Sequence, residues 1–200
     1  RTCSGCQAGA ITSTRAAQPL VVAARSFLTD QLDMQLRPDH ECKVEIVGAN
    51  KIAKRLRKRF RQTRGFDSRE GGIFMSRVVE HTNGLGGTTT QADLCIYVED
   101  GWPQVKCYGI LVHELVHLWQ FDAFPRGDVD KRLVEGLAVW AEHRALLAAG
   151  AVKSAEDLER DSDAIYGDGF RIVRRLELRY GWRRMLVEVV RLAHGGAPNG

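Results

Sequence analysis

The stretch from Ile110 to Trp119 constrains this chain more than any other, because it places ionisable side chains inside an almost entirely apolar segment. Its sequence is Ile-Leu-Val-His-Glu-Leu-Val-His-Leu-Trp, so His113, Glu114 and His117 have apolar neighbours on every side. A helix that is apolar all round is a buried helix. Burying two imidazoles and a carboxylate costs several kcal/mol unless they are satisfied together. We therefore expect a core helix whose polar residues share one partner.

The spacing of the two histidines indicates a metal site. Residues four apart lie on one face of a helix, so the imidazoles of His113 and His117 can both reach one zinc ion. Glu114 is near enough to hold a zinc-bound water, as in the His-Glu-x-x-His pattern of metallopeptidases. The metzincin continuation of this pattern needs Gly and His at the positions of Gln120 and Ala123, which excludes that class.

A second predicted helix, Arg132–Leu147, supplies a candidate third ligand. Glu135 lies inside its apolar pattern and is followed by Gly136, which lets two helices approach closely. Two histidines and one glutamate, with a fourth position open to water, form the ligand set of catalytic zinc sites. In such a gluzincin-like site Glu114 acts as the general base. The alternative is a core helix whose polar residues are merely hydrogen-bonded.

Hydrolysis of a peptide bond also needs a donor for the oxyanion that develops on the substrate. Two candidates lie downstream: Tyr166, in the segment Tyr-Gly-Asp-Gly-Phe, and His143, on the second helix. Asp168 can orient one of the zinc-binding histidines through its second ring nitrogen. The alternative is that Tyr166 is a core aromatic residue and Asp168 caps a helix that starts near Phe170.

The remaining pattern predicts an α+β fold of the zincin-like metallopeptidase type. We expect a small antiparallel sheet from about residues 43–98, packed on the His-Glu-x-x-His helix, with helices before and after it. The strand Leu94–Val98 can pair with an extended peptide substrate. The individual predictions are a helix opened by Pro19 and stopped at Pro38, strands at Cys42–Val47, Ile73–Val79 and Ala92–Val98, and mostly helix from Gln104.

The composition is that of an ordinary globular protein, because 44% of the 200 residues are hydrophobic and 27% are charged. No apolar run approaches the roughly 18 residues that a membrane span needs. No signal peptide is visible either. We therefore expect a cytoplasmic protein without a membrane partner.

The net charge of +4 includes one strongly basic segment. Lys51–Arg64 holds eight basic residues and no acidic one, which leaves 21 basic and 25 acidic residues elsewhere. One interpretation is a helix with solvated arginines, because Ile52, Leu56 and Phe60 recur every four residues. The other is a surface for an anionic partner. No aromatic residues alternate with the basic ones on the exposed face, so nucleic acid is not the expected partner.

Taken together and in order, the motifs resemble the peptidase domain of the DA-one family. This family comprises the LIM-associated, ubiquitin-activated zinc peptidases of plants and their bacterial relatives. The resemblance implies a zinc endopeptidase that acts on protein or peptide substrates, and the arginine and alanine content favours a bacterial relative. Val134 stands where the family usually has a second Glu, which supports Glu135 as the ligand. The matching segments are Thr63–Gly65, Ile96–Val98, Gly101–Pro103, Gly109–Glu114, Val134–Gly136, Tyr166–Phe170 and Tyr180–Gly181.

The pair Cys3 and Cys6 has the two-residue gap of a zinc knuckle, although one such pair supplies only two ligands. In the DA-one family a LIM-like zinc module ends in such a pair just before the first helix. The resemblance therefore implies that residues 1–15 are the C-terminal tail of this module and that residues 16–200 are the peptidase domain. A second, structural zinc would need residues upstream. No ubiquitin-interacting helix is visible, so regulation by ubiquitin is not inferred.

Two other functions remain open from the sequence. The chain can be a binding module that uses the peptidase fold and the basic helix to hold a protein partner. It can also be a DNA-associated protease of the SprT type, which combines the same histidine motif with a zinc module. Glu135 in place of a third histidine argues against the SprT type.

Overall fold

A computed structural model of the chain describes residues 9–37, 41–52, 54, 71–82, 88–124 and 129–196. These residues form an α+β fold, as the sequence predicts. The elements are β1 (Ala10–Ile11), α1 (Thr14–Ser26), β2 (Cys42–Val47), β3 (Gly72–Thr82), β4 (Thr88–Glu99), β5 (Trp102–Pro103), α2 (Gln104–Ala123), α3 (Lys131–Ala148), α4 (Val152–Glu159), α5 (Tyr166–Tyr180) and α6 (Trp182–Ala193). Within the described ranges, no helix combines the length and apolar character that crossing a membrane would require.

The main sheet is mixed, which corrects the expected antiparallel sheet. Its strand order is β2-β4-β3, with β2 parallel to β4 and β3 antiparallel to β4. Alternating polarity predicts a strand but not the direction of its neighbour, and the antiparallel expectation holds only for the consecutive strands β3 and β4. A separate two-stranded sheet pairs β1 with β5, with Ile11 opposite Trp102.

Strand β4 lies in the middle of the main sheet. It therefore cannot pair with a peptide substrate, contrary to the prediction from the sequence. Leu94–Val98 is opposite residues of β2 on one side and of β3 on the other. Among the described strands, the edges of the sheet belong to β2 and β3. The edge of β2 is partly covered, because the backbone N–H of Ile46 donates to the hydroxyl of Thr14 at 3.0 Å. An extended peptide would therefore have to approach β3.

The first helix begins five residues before the predicted start at Pro19. The Ser13 hydroxyl accepts a hydrogen bond from the backbone N–H of Ala16 at 3.3 Å, so Ser13 is the N-cap and Pro19 lies inside α1. A π-helical turn, Phe27–Gln31, continues the helix. Residues 1–15 are mostly small and polar, which predicts a loop, but this segment contains both β1 and the start of α1.

Helix α2 lies at the centre of the fold. It packs against α1, α3 and the strands β3 and β4, and α3 packs in turn against α5. The apolar residues of the middle of α2 are fully buried, which confirms the expected core helix; they are Leu111, Val112, Leu115 and Val116. The two histidines and the glutamate of this helix are therefore held inside the protein.

Helices α3 and α5 cross with their backbones in contact. A Cβ atom added to Gly136 would lie 2.2 Å from the carbonyl carbon of Gly169, and one added to Gly169 would lie 2.3 Å from the carbonyl oxygen of Arg132. The crossing occurs one residue after Glu135, as expected from the glycine that follows it. It places the first turn of α5, which begins at Tyr166, beside His113 of α2.

Candidate metal centre

Three side chains from α2 and α3 converge on one point. The Nε2 atoms of His113 and His117 lie 3.4 and 3.3 Å from the same oxygen, Oε2 of Glu135. One ligand atom from each residue falls within 4.8 Å of the other two. Ligands bonded at 2.0–2.1 Å to a tetrahedral ion are about 3.4 Å apart. The cluster therefore fits a four-coordinate metal ion, with one position left for another ligand.

The cluster is buried, but not equally on all sides. The side chains of His113 and Glu135 are each 6% exposed, whereas the side chain of His117 is 11% exposed. The two imidazole rings are 4.9 Å apart and nearly perpendicular, at 73°. This orientation lets both Nε2 atoms point at the Glu135 carboxylate. The side of His117 is the more accessible approach to the cluster.

The ionisation of the cluster favours a cation at its centre. Burial alone would lower the pKa of His113 and His117, but the contacts with Glu135 raise both above the ordinary value. Burial alone would raise the pKa of Glu135, but the two imidazoles hold it well below the ordinary value. The carboxylates around the two imidazoles thus stabilise positive charge at this buried point. A metal ion would supply that charge.

Glu114 lies beside the cluster and against the sheet. Burial raises the pKa of this carboxyl, and the two histidines and the backbone N–H of Phe74, which donates to it, oppose the rise. A Cβ atom on Gly72 would lie 2.7 Å from its Oε1. The carboxylate is therefore held between the edge strand β3 and the histidines, where it can exchange a proton with a molecule at the centre of the cluster.

Each histidine faces a polar side chain at its other ring nitrogen, in a hydrogen bond for His117 and only at ion-pair distance for His113, and sequence reasoning found neither. The Nδ1 atom of His117 lies 2.8 Å from Oε1 of Gln120, whose amide donates to the carbonyl oxygen of Val134 at 2.7 Å.

The Nδ1 atom of His113 lies 3.3 Å from Oε2 of Glu142. Glu142 comes seven residues, or two helical turns, after Glu135, so both lie on the same face of α3. A second acidic residue on that face of a buried helix was the available signal for this contact.

Asp168 does not orient a metal-binding histidine. Its Oδ1 atom lies 2.6 Å from the Arg171 guanidinium and the side chain is 53% exposed. The helix also starts at Tyr166 and not near Phe170, because Asp163 accepts the backbone N–H groups at its start. Asp168 lies inside the first turn and therefore is not the cap of this helix.

The two predicted oxyanion donors occupy different environments. The ring of Tyr166 is buried and lies 6.4 Å from the ring of His113. The Nε2 atom of His143 lies 2.7 Å from a carboxylate oxygen of Glu159, and its ring lies 5.1 Å from that of Phe170. His143 thus joins α3 to α4 near the end of α4, whereas Tyr166 faces the cluster.

Two sequence predictions concern residues that the structure does not describe. Cys3 and Cys6, the proposed half of a structural zinc site, lie outside the described residues. So do residues 53 and 55–64 of the basic segment, together with the Thr63–Gly65 motif. The interpretations of these segments stay predictions.

Comparison with known proteins gives one match. The model of a family described as "Peptidase of plants and bacteria" matches residues 96–177, from β4 to α5. No curated protein and no solved structure matches the chain. The resemblance to a peptidase domain of plants and bacteria, which the motifs indicate, is thereby confirmed over the segment that carries His113, Glu114, His117, Glu135 and Tyr166.

Proposed function

We propose that this protein is a zinc-dependent endopeptidase of the zincin-like, gluzincin type. One observation carries the proposal: the Nε2 atoms of His113 and His117 lie 3.4 and 3.3 Å from one oxygen of Glu135, inside a segment that matches a peptidase family. Two histidines and one glutamate with an open position form the ligand set of catalytic rather than structural zinc. The sheet packed on α2, with the third ligand on the next helix, supports the same architecture.

In this proposal the chain's own residues have separate tasks. His113, His117 and Glu135 would hold the zinc, which would supply Lewis acidity toward a substrate carbonyl and toward water when bound. Glu114 takes the proton from the attacking water and delivers it to the leaving amine. Burial raises the pKa of the Glu114 carboxyl, which favours its taking a proton. The Phe74 N–H keeps its carboxylate in place.

Tyr166 is the proposed donor to the oxyanion. The start of α5 is brought to the cluster by the Gly136–Gly169 contact, and the Tyr166 ring lies 6.4 Å from that of His113. A phenol reaches farther than a hydroxyl on a short side chain. His143 is the weaker candidate, because its Nε2 atom is already paired with Glu159.

The substrate is proposed to bind along β3. Glu114 bonds to the outward N–H of Phe74, so the outer edge of β3 borders the site. Backbone groups alternate sides along a strand, so those of Ser76 and Val78 face the same edge as those of Phe74. A peptide added at this edge would pass Glu114 and gain main-chain hydrogen bonds.

The experiment that tests the function measures zinc and proteolysis together. Elemental analysis of the purified protein should find one zinc ion for the cluster of His113, His117 and Glu135. The same sample should cleave an unfolded protein such as casein. A chelator should abolish cleavage, and added zinc should restore it. Cleavage that survives complete removal of the metal would contradict the proposal. Zinc binding without cleavage of any unfolded substrate would instead favour the binding-module alternative.

A further inference from the structure

Glu142 is a fully buried carboxylate that connects two groups of α2. Its Oε1 atom lies 3.3 Å from Nζ of Lys106, and its Oε2 atom lies 3.3 Å from Nδ1 of His113. The side chain is 0% exposed, and that of Lys106 is 28% exposed. A cation, an anion and a proposed metal ligand thus form one row between α2 and α3.

The sequence of α2 makes room for this row. Lys106, Gly109 and His113 are spaced by three and four residues, so they lie on the same face of the helix, toward α3. A Cβ atom on Gly109 would lie 3.0 Å from Oε1 and 3.3 Å from Cγ of Glu142. Any larger residue at this position would push the carboxylate away from its two partners. The glycine therefore leaves space for the Glu142 side chain.

Stability alone is a weak explanation for the row. A buried ion pair loses the hydration of both charges, and replacing such a pair by apolar residues of similar size is often neutral or stabilising. The position of the row supplies another explanation. Histidines that bind metals usually donate their second ring N–H to a carboxylate or carbonyl, which fixes the tautomer and the orientation of the ring. For His117 the neutral amide of Gln120 faces Nδ1, whereas for His113 a carboxylate does.

We propose that Lys106 and Glu142 are positioning residues of the metal centre. Glu142 would take the Nδ1–H of His113 and leave the Nε2 lone pair for the metal; in the described structure the Nδ1 and Oε2 atoms lie 3.3 Å apart, both buried and neither in a hydrogen bond. Lys106 holds the other oxygen of Glu142, so that the carboxylate keeps both its charge and its conformation. Lys106 acts on the metal only through Glu142. This inference rests on the proposed metal site, and it assigns a function to a lysine two helical turns from the ligand.

The test measures zinc affinity, by competition with a chromophoric chelator, in Glu142→Gln, Lys106→Met and the double variant. Loss of an outer partner of a metal-bound histidine typically weakens metal binding about 10–100-fold, which is the expectation for Glu142→Gln. Lys106→Met should weaken it less. The double variant should bind zinc no more weakly than Glu142→Gln alone, because the lysine acts through the glutamate. Lys153→Met, an exposed lysine on α4, is the matched control and should leave the affinity unchanged.

A purely structural role makes a different prediction. It would lower the midpoint of urea unfolding in the metal-free variants and leave the zinc affinity and the absorption spectrum of the cobalt-substituted protein as in the parent. That result would overturn the inference. If the single variants fail to fold, the double variant keeps the inference testable, because it removes both charges together; parental zinc affinity in it would contradict the proposal. A parent that binds no zinc would instead overturn the metal site itself.

Discussion

Gly136 and Gly169 touch through their backbones at the crossing of α3 and α5. A Cβ atom on Gly136 would lie 2.2 Å from the carbonyl carbon of Gly169, far inside the distance that any side chain tolerates. The contact lies one residue after Glu135 and three residues after Tyr166. One close approach therefore determines where both the third proposed ligand and the proposed donor sit relative to α2.

Gly136→Ala should destabilise the protein and weaken the metal site together. The added methyl group meets backbone atoms, which cannot move aside as a flexible side chain can. Overpacking of this kind costs about 1–3 kcal/mol of the free energy of unfolding, measured by urea denaturation. Gly48→Ala is the control, because no atom lies within 4 Å of its added Cβ. A Gly136→Ala protein with parental stability and zinc affinity would show that the helices separate without consequence.

Glu114→Gln should keep zinc and lose proteolysis. The glutamine preserves the shape of the side chain and cannot take a proton from water, and removing a general base typically costs about 10²–10⁴ in turnover. His113→Ala, His117→Ala and Glu135→Ala should lose zinc as well, because each removes a proposed ligand. Elemental analysis and cleavage of casein on the same samples separate the two outcomes. Full activity in Glu114→Gln would remove the hydrolase interpretation.

Tyr166→Phe should reduce turnover by about 10²–10³, the typical effect of losing one oxyanion donor. Zinc content should stay unchanged, because the hydroxyl is not a proposed ligand. His143→Gln serves as the comparison; it should affect turnover much less, since its Nε2 atom is paired with Glu159. A Tyr166→Phe enzyme as active as the parent would assign the donor to another residue.

Val78→Pro should weaken substrate binding without changing the metal site. Proline removes the outward N–H of Val78, and an edge strand tolerates proline because that N–H makes no bond inside the sheet. The expected result is a higher KM for an unfolded protein substrate, with kcat and zinc content near those of the parent. Val78→Ala, which keeps the N–H, controls for the lost side chain. An unchanged KM would place the substrate away from β3.

Glu177→Gln should destabilise the protein by about 2 kcal/mol at pH 7, the range for hydrogen bonds to a charged group. Oε2 of Glu177 accepts the Trp140 indole N–H at 2.9 Å, and Oε1 lies 2.7 Å from Arg144. Burial alone would raise the pKa of Glu177, but Trp140, Arg174 and Arg144 hold it below the ordinary value.

The sign of that pKa shift gives the pH dependence. A depressed pKa stabilises the folded protein above the pKa of the unfolded chain, about 4.3 for glutamate, and this stabilisation is lost as the pH falls through the lower folded value. The difference between the parent and Glu177→Gln should therefore shrink in urea titrations below about pH 4. Glu156→Gln, in an exposed pair with Arg160, should cost about 0.5 kcal/mol or less. A pH-independent difference for Glu177→Gln would show that the charge of this carboxylate is irrelevant.

The sequence predicts the parts of the site that depend on one helix at a time. Four-residue spacing on an apolar helix was enough to bring His113 and His117 to one face, and the glycine after Glu135 marked the close crossing. The same helical periodicity places Glu142 on the face of α3 that carries Glu135, but it does not identify the residue of α2 that Glu142 meets. Glu142 reaches His113 only because α2 and α3 pack in one particular register, and single-helix periodicity does not determine that register.

The same limit explains the error at Asp168 and in the sheet. A polar residue between two glycines looks available for any neighbour, but Asp168 points to Arg171 one turn along its own helix. The direction of β2 relative to β4 depends on the path of the chain between them. Local alternation of polarity contains no information about either relationship.

The link from His117 through Gln120 to the Val134 carbonyl makes one uncharged side chain responsible for a connection between two helices. It ties the second histidine to the backbone residue next to Glu135, using two short bonds, 2.8 and 2.7 Å, and an uncharged amide. Hydrogen bonds between α2 and α3 thus help to hold the two proposed ligands at their spacing. Replacing Gln120 by a residue without a side-chain amide would therefore release the second histidine from α3, although neither of these two proposed ligands had itself been changed.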